Sequence, residues 1–246
     1  MIVHVHGLGV EQITLYRQET LAARAAAAAG YPAFRYHARG CGDSAGDSAS
    51  ITLTTLVEDA RAAAEEAKRR SGASRVLWLG VRFGAIVAAL AAARRTDTVG
   101  FVFWEPIAKS MDQFRGQLRG MLFSSVAGGK KPDSTVEQLL ERIARDGGVD
   151  VHGYILYREL VESCRDVDLA SALVAAGEHP VQLLQVQQRG RLAPQHAKLL
   201  EALAARGVKT GSACITEEPG YQLMSNPAWQ SDPLTRATLE AFRALA

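Results

Sequence analysis

Along the chain, short apolar runs alternate with longer stretches in which apolar positions recur every three or four residues. The short runs Ile2–His6, Ala33–His37, Arg75–Gly80, Val99–Trp104, Val181–Gln187 and Ala213–Thr216 read as strands. The periodic stretches Glu11–Ala29, Thr52–Arg70, Ala85–Arg95, Pro194–Arg206 and Asp232–Leu245 read as helices. Strand followed by helix, repeated, requires crossovers, so the pattern predicts an α/β fold with a mostly parallel sheet and helices on both faces. Gly30, Gly72 and Gly207 fall just past helix ends, where a left-handed cap is wanted, and Pro194 opens a helix without losing a needed donor.

The interval 107–179 interrupts this alternation. Helical patterns at Met111–Phe123, Ser134–Asp146 and Tyr157–Cys164 are joined by loop-like stretches at Ala127–Pro132 and Asp146–Gly148. The expected organisation is therefore a core of residues 1–106 and 180–246 with a helical cap inserted as 107–179. A cap after a strand would cover the C-terminal edge of the sheet, where open α/β sheets place ligands. A peripheral decoration is the alternative.

Composition narrows the function classes. The 246 residues are 48% hydrophobic, enough for one sizeable core. A net charge of +2, from 28 basic and 26 acidic residues without long blocks of one sign, gives no footprint for nucleic acid or membrane surface. No apolar run approaches the ~20 residues of a membrane span, and Met1 leads into a strand without a basic leader, so the cytoplasm is the expected location. Cys41, Cys164 and Cys214 have no paired spacing, and His152, His179 and His196 do not converge with acidic residues, so neither a disulfide, a metal nor a cofactor is expected.

Three motifs carry the resemblance to a known superfamily. Gly80-Val81-Arg82-Phe83-Gly84 brackets a turn between strand and helix with two glycines. His6-Gly7-Leu8-Gly9 follows the first strand, and Arg39-Gly40-Cys41-Gly42-Asp43-Ser44-Ala45-Gly46 the second. In this order they resemble the nucleophile elbow, the H-G oxyanion loop and the R-G-x-G-x-S-x-G segment of α/β-hydrolases. Gly40 to Asp47, the elbow Val81-Arg82-Phe83-Gly84, Phe103-Trp104-Glu105-Pro106 and Val151-His152-Gly153-Tyr154 are more closely similar to the exosortase A system-associated hydrolase 2 family. That resemblance implies a capped α/β-hydrolase fold, possession of which does not settle activity. Relative to the superfamily, the antiparallel hairpin that usually precedes the first parallel strand is expected to be missing.

The catalytic positions depart from what acyl transfer requires. Arg82 occupies the nucleophile's place, and a guanidinium has no lone pair with which to attack a carbonyl. No histidine follows His196, so the loop after the last strand holds no base. Gln188-Arg189-Gly190-Arg191-Leu192, after the strand Val181–Gln187, holds no acid. A serine-hydrolase mechanism is thus not expected, while enzyme activity of another kind stays open.

Arg82 at a helix N-terminus calls for an anionic partner. Glu105, Glu11, Glu217 or Glu218 could pair with it. Alternatively it is the floor of a socket for a carboxylate or phosphate, built with Gly7, Leu8, Glu11, Phe83, Glu105 and Tyr221. Cys41, near His37 and His6, is either a packing residue or an unconventional nucleophile. His4 reads as a core residue pointing to the other side of its strand from His6.

Three functions follow. One is a triad-less, pseudoenzyme-like protein binding or transforming a small acyl or anionic ligand. A second is an ester, thioester or peptide hydrolase using Cys41, His37 and His6. The third is a scaffolding protein of an export system.

Overall fold

The computed structural model describes residues 1–129, 134–222, 226 and 228–246. Strand and helix alternate as β1 (Ile2–Val5), α1 (Val10–Ala28), β2 (Ala33–Arg35), α2 (Leu53–Ser71), β3 (Val76–Val81), α3 (Gly84–Ala92) and β4 (Thr98–Trp104). The intervening region adds α4 (Ser110–Ala127), α5 (Val136–Asp146), β5 (Gly148–Val151), β6 (Tyr154–Tyr157), α6 (Arg158–Ser163) and α7 (Leu169–Ala176). The chain returns through β7 (Val181–Val186), α8 (Pro194–Ala204), β8 (Thr210–Ile215) and α9 (Asp232–Leu245). Of the expected loop 127–132, Lys130, Lys131 and Pro132 lie outside the described residues.

Among the described residues, six strands form one parallel sheet in the order β2-β1-β3-β4-β7-β8. Each expected strand lies in it, with ends shifted by at most three residues. All six residues of β3 are buried, because helices cover both faces of the sheet. Trp78, Phe101 and Phe103 pack on one face with α2 and α3, while Leu77, Leu79, Val102 and Trp104 pack on the other with α1 and α9. Helix α3, apolar all round, is flanked by α2 and α7 and exposes almost none of its surface. Gly30, Gly72 and Gly207 have the left-handed φ expected after helix ends.

The inserted region differs from its expected form in two places. Gly148 begins a strand: β5 and β6 form an antiparallel hairpin whose turn carries His152 and Gly153, both with positive φ. The apolar positions Val149, Val151 and Leu156 face inward from it. In addition α7, capped by the Asp168 side chain, packs against α3 and α8.

Candidate functional site

The sharp turn between β3 and α3 brings backbone closer than side chains permit. A Cβ on Gly80 would lie 2.6 Å from Cα of Ala85, and one on Gly84 would overlap the carbonyls of Val5 and His6. The apex is Arg82, held at φ 53°, a conformation that costs a non-glycine residue about 1–3 kcal/mol. Its N–H donates to the Trp104 carbonyl at 2.9 Å, and its own carbonyl accepts from Ala85 at 3.2 Å. The elbow geometry is therefore kept around an arginine.

That arginine is committed to internal partners. Nε and Nη2 donate to Glu11 Oε1 at 3.1 and 3.0 Å, and Nη1 donates to the Glu105 carbonyl at 3.0 Å. The other Glu11 oxygen accepts from Gln113 Nε2 at 2.9 Å, which ties helix α4 to the pair. A second α4 residue, Gln117, donates to the Leu8 carbonyl at 3.1 Å. Burial disfavours the guanidinium charge, but Glu11 above all raises its pKa beyond the ordinary arginine value. Of the candidate partners, Glu11 supplies the carboxylate and Glu105 only its backbone.

The Glu105 carboxyl points elsewhere. It accepts from the Val186 N–H at 3.0 Å and from the Tyr221 hydroxyl, and burial raises its pKa against the lowering effect of Tyr221. Burial, then the Glu105 charge, drives the Tyr221 pKa upward. The space enclosed by Arg82, Glu105, Tyr221 and Trp229 is about 10 Å³, less than a ligand needs. Phe83 is fully buried. On this side the socket expected from Arg82, Gly7, Leu8, Glu11, Phe83, Glu105 and Tyr221 has no ligand-sized space, while the Arg82 and Glu11 side chains are 21% and 20% exposed.

Room exists on the other side of the H-G loop. A cavity of about 320 Å³ is bounded by Leu8, Cys41, Ile51, Phe114, Tyr154 and Leu156, among others, under the β5–β6 hairpin. Among the described residues, neither an acidic, a basic nor a histidine side chain lines it. The loop 39–47 shapes one wall: Gly40 and Gly42 have positive φ, Cys41 N–H donates to the Ala38 carbonyl at 3.0 Å, and Ser44 Oγ donates to the His37 carbonyl at 2.8 Å. Arg39 clamps this loop to Asp59 of α2. A separate open groove of about 630 Å³ carries Lys109, Arg115, Arg165 and Lys198 beside Asp112, Asp166 and Asp168, so neither sign dominates.

Beneath the same loop lies a buried ionisable cluster. His6 Nδ1 is hydrogen-bonded to Glu19 Oε2, with side chains 7% and 0% exposed. Arg35 approaches the same oxygen at 3.6 Å. The His4 ring stacks on His6 at 5.3 Å, and His37 meets His6 edge-on at 5.9 Å. Burial would raise the Glu19 carboxyl, but His6 beside it brings the value down to about 2. Burial lowers His4 to about 3, so it is neutral in the folded protein. His4 is core, as expected, but on the same side as His6, since residues two apart on a strand share a face.

His6 and Cys41 both border a small cavity of about 30 Å³, continuous in sequence with the loop residues Gly7 and Leu8. His37 instead abuts Gly42. Burial raises the Cys41 thiol, and the Asp59 carboxylate adds to that. Cys164 is buried and pushed up to about 12. His196 is buried with both ring nitrogens taken, by Gln185 at 2.9 Å and the Pro106 carbonyl at 3.1 Å. Sequence reasoning missed Glu19, Gln113 and Gln117. Glu19 left a trace, since it falls in register with Leu15, Ala22 and Ala26 on the buried face of α1. Among the described residues, no group of three or more His, Cys, Asp or Glu side chains is arranged to hold a metal ion, and no helix is long and apolar enough to cross a membrane.

The chain belongs to the serine aminopeptidase S33 family (Hydrolase_4), whose profile matches residues 1–187. Solved structures of low identity share its α/β-hydrolase fold. Est1E of Butyrivibrio proteoclasticus, with ferulic acid bound, is 17% identical, with a TM-score of 0.66 over 99% of this chain and 88% of its own. An esterase of Pyrococcus furiosus is 13% identical, with a TM-score of 0.65 over 99% and 81%. An α/β-hydrolase of Vibrio vulnificus is 16% identical, with a TM-score of 0.60 over 100% and 73%. No match is found among curated proteins.

Proposed function

We propose that this S33 family member binds a neutral, largely apolar small molecule, such as an ester or thioester of a short acyl or aromatic acid, in the cavity under its cap. The observation that carries this reading is the cavity's lining: about 320 Å³ bounded by apolar side chains, glycines and a few uncharged polar groups. Ligand sites of roughly 300–1,000 Å³ with that character are the usual kind. A carboxylate or phosphate entering it would shed water without gaining a counter-charge, which disfavours the anionic ligand first expected.

The elbow is, on this reading, a structural relic of serine hydrolysis. Arg82 cannot act as nucleophile, and its pairing with Glu11 fills the position with protein. The finer kinship with the exosortase-associated hydrolases and a cytoplasmic location fit this proposal and belong to it. A pure scaffold would have no use for a ligand-sized cavity, and so is disfavoured. The test is a fluorescence titration with neutral 1-aminoanthracene, followed by displacement with uncharged esters. Saturable binding blocked by Ser48→Trp, at the cavity wall, is the expected result. Binding that is absent, or unaffected by that substitution, would reject the reading.

A further inference from the structure

We propose that β8 is a dimerisation edge: two copies of this chain pair their β8 strands antiparallel about a two-fold axis at Ser212, joining their sheets into one. The inference goes beyond the cavity reading and does not depend on it. β8 is six residues long and pairs on one side only, with β7. Val181 N–H donates to the Lys209 carbonyl and Gln187 N–H to the Ile215 carbonyl, which fixes the residues that face β7. In a parallel ladder, alternate residues of a strand direct both backbone groups to the same neighbour. Lys209, Gly211, Ala213 and Ile215 therefore face β7, and the N–H and C=O groups of Thr210, Ser212 and Cys214 face outward. Among the described residues, none of those outward groups has a hydrogen-bond partner.

The two edges of the sheet are built differently. At the far edge β2 is three residues long and ends in Arg35, the short, charged form by which proteins blunt an exposed edge. Thr210–Ile215 carries neither a charge, a proline nor a register shift, so no such device guards it. Helices α8 and α9 pack on its two faces, which leaves the backbone edge open, with Ser212 exposed at its middle. A second β8 is the complementary occupant. Three open residues at two-residue spacing repeat when the strand is reversed about its middle. Ser212 then falls opposite Ser212 and Thr210 opposite Cys214, each pair exchanging two hydrogen bonds. The two-fold axis gives both copies the same contacts and closes the assembly at two, whereas a bare edge invites uncontrolled pairing.

The experiment is sedimentation velocity of the full chain over a range of concentrations, with far-UV circular dichroism as the check on folding. Wild type is expected to sediment as a dimer. Ser212→Pro removes an outward N–H that the single chain does not use, a change an edge strand tolerates. It should keep the fold and raise the dimer dissociation constant roughly tenfold or more. Ser212→Lys should act likewise by setting like charges opposite each other at the axis, and it decides alone if the proline variant fails to fold. Under mild oxidation Ser212→Cys should cross-link two copies through position 212, located by peptide mass mapping, since directly opposite Cα atoms about 5.5 Å apart lie within disulfide reach. A wild-type monomer at every concentration, the result expected if the edge serves a different protein's strand or none, would overturn the inference. So would a dimer that both Ser212→Pro and Ser212→Lys leave intact, which would place the interface elsewhere.

Discussion

The elbow and the cap cavity share the loop Gly7–Gly9 yet are opposites in polar character. At the elbow every charge has a partner: Arg82 meets Glu11, Glu11 meets Gln113, and about 10 Å³ is left over. In the cavity, among the described residues, there are no charges, some 320 Å³ of space and one thiol at the wall. The sharp turn is thus closely packed, while the larger space lies beside it. The turn itself is a steric requirement, since Gly80 and Gly84 are fixed by backbone contacts that do not depend on the residue at the apex.

This contrast can be broken or sharpened by substitution, beginning with the largest effect. Gly84→Ala should cost about 3 kcal/mol in urea unfolding or prevent folding, because its Cβ has only backbone carbonyls to displace. If it is tolerated, the elbow is looser than its geometry implies.

Acidification should come next. His4 has a folded value of about 3 against an ordinary 6.5, so between these pH values the unfolded chain binds a proton that the folded one does not. Stability therefore falls with falling pH across that window, at up to about 1.4 kcal/mol per unit. Glu19, lowered to about 2 from 4.5, adds a loss of the same sign below pH 4.5. His4→Leu should flatten the limb between pH 6.5 and 4.5 in denaturation midpoints. An unchanged limb would mean that His4 is not buried as a neutral ring.

At the elbow, Glu11→Gln should destabilise by about 1–2 kcal/mol, since it leaves the partly buried Arg82 charge without its anion. Gln113→Ala should cost about 1 kcal/mol by removing one hydrogen bond to Glu11. Both should leave 1-aminoanthracene binding unaltered. The smallest effect is the most pointed: Arg82→Ser should gain no esterase turnover, because both ring nitrogens of His196 are already engaged, by Gln185 and the Pro106 carbonyl.

The sheet was legible because its signals are local. Each strand is a short apolar run and each flanking helix a periodic one, closed by glycines whose left-handed φ the structure confirms. The β5–β6 hairpin was hidden by Gly147-Gly148, which read as loop although Val149, Val151 and Leu156 alternate with exposed positions. The elbow motif was legible too, and with Glu11 among the candidates its ion pair was nearly so. Which glutamate would reach Arg82 depended on a left-handed turn at Glu105, φ 44°, that turns the carboxyl toward Val186. The His6–Glu19 contact spans 13 residues and the Gln113–Glu11 contact 102, separations at which spacing carries no information.

The central claim is that ligand recognition belongs to the uncharged cap cavity rather than to the arginine at the elbow. The most direct measurement is a paired titration of wild type, Arg82→Ala and Ser48→Trp with neutral 1-aminoanthracene and the anionic dye 8-anilinonaphthalene-1-sulfonate. The account predicts saturable binding of the neutral dye, unchanged by Arg82→Ala and lost in Ser48→Trp, with the anionic dye binding weakly throughout. Tight binding of the anionic dye that vanishes in Arg82→Ala would contradict it.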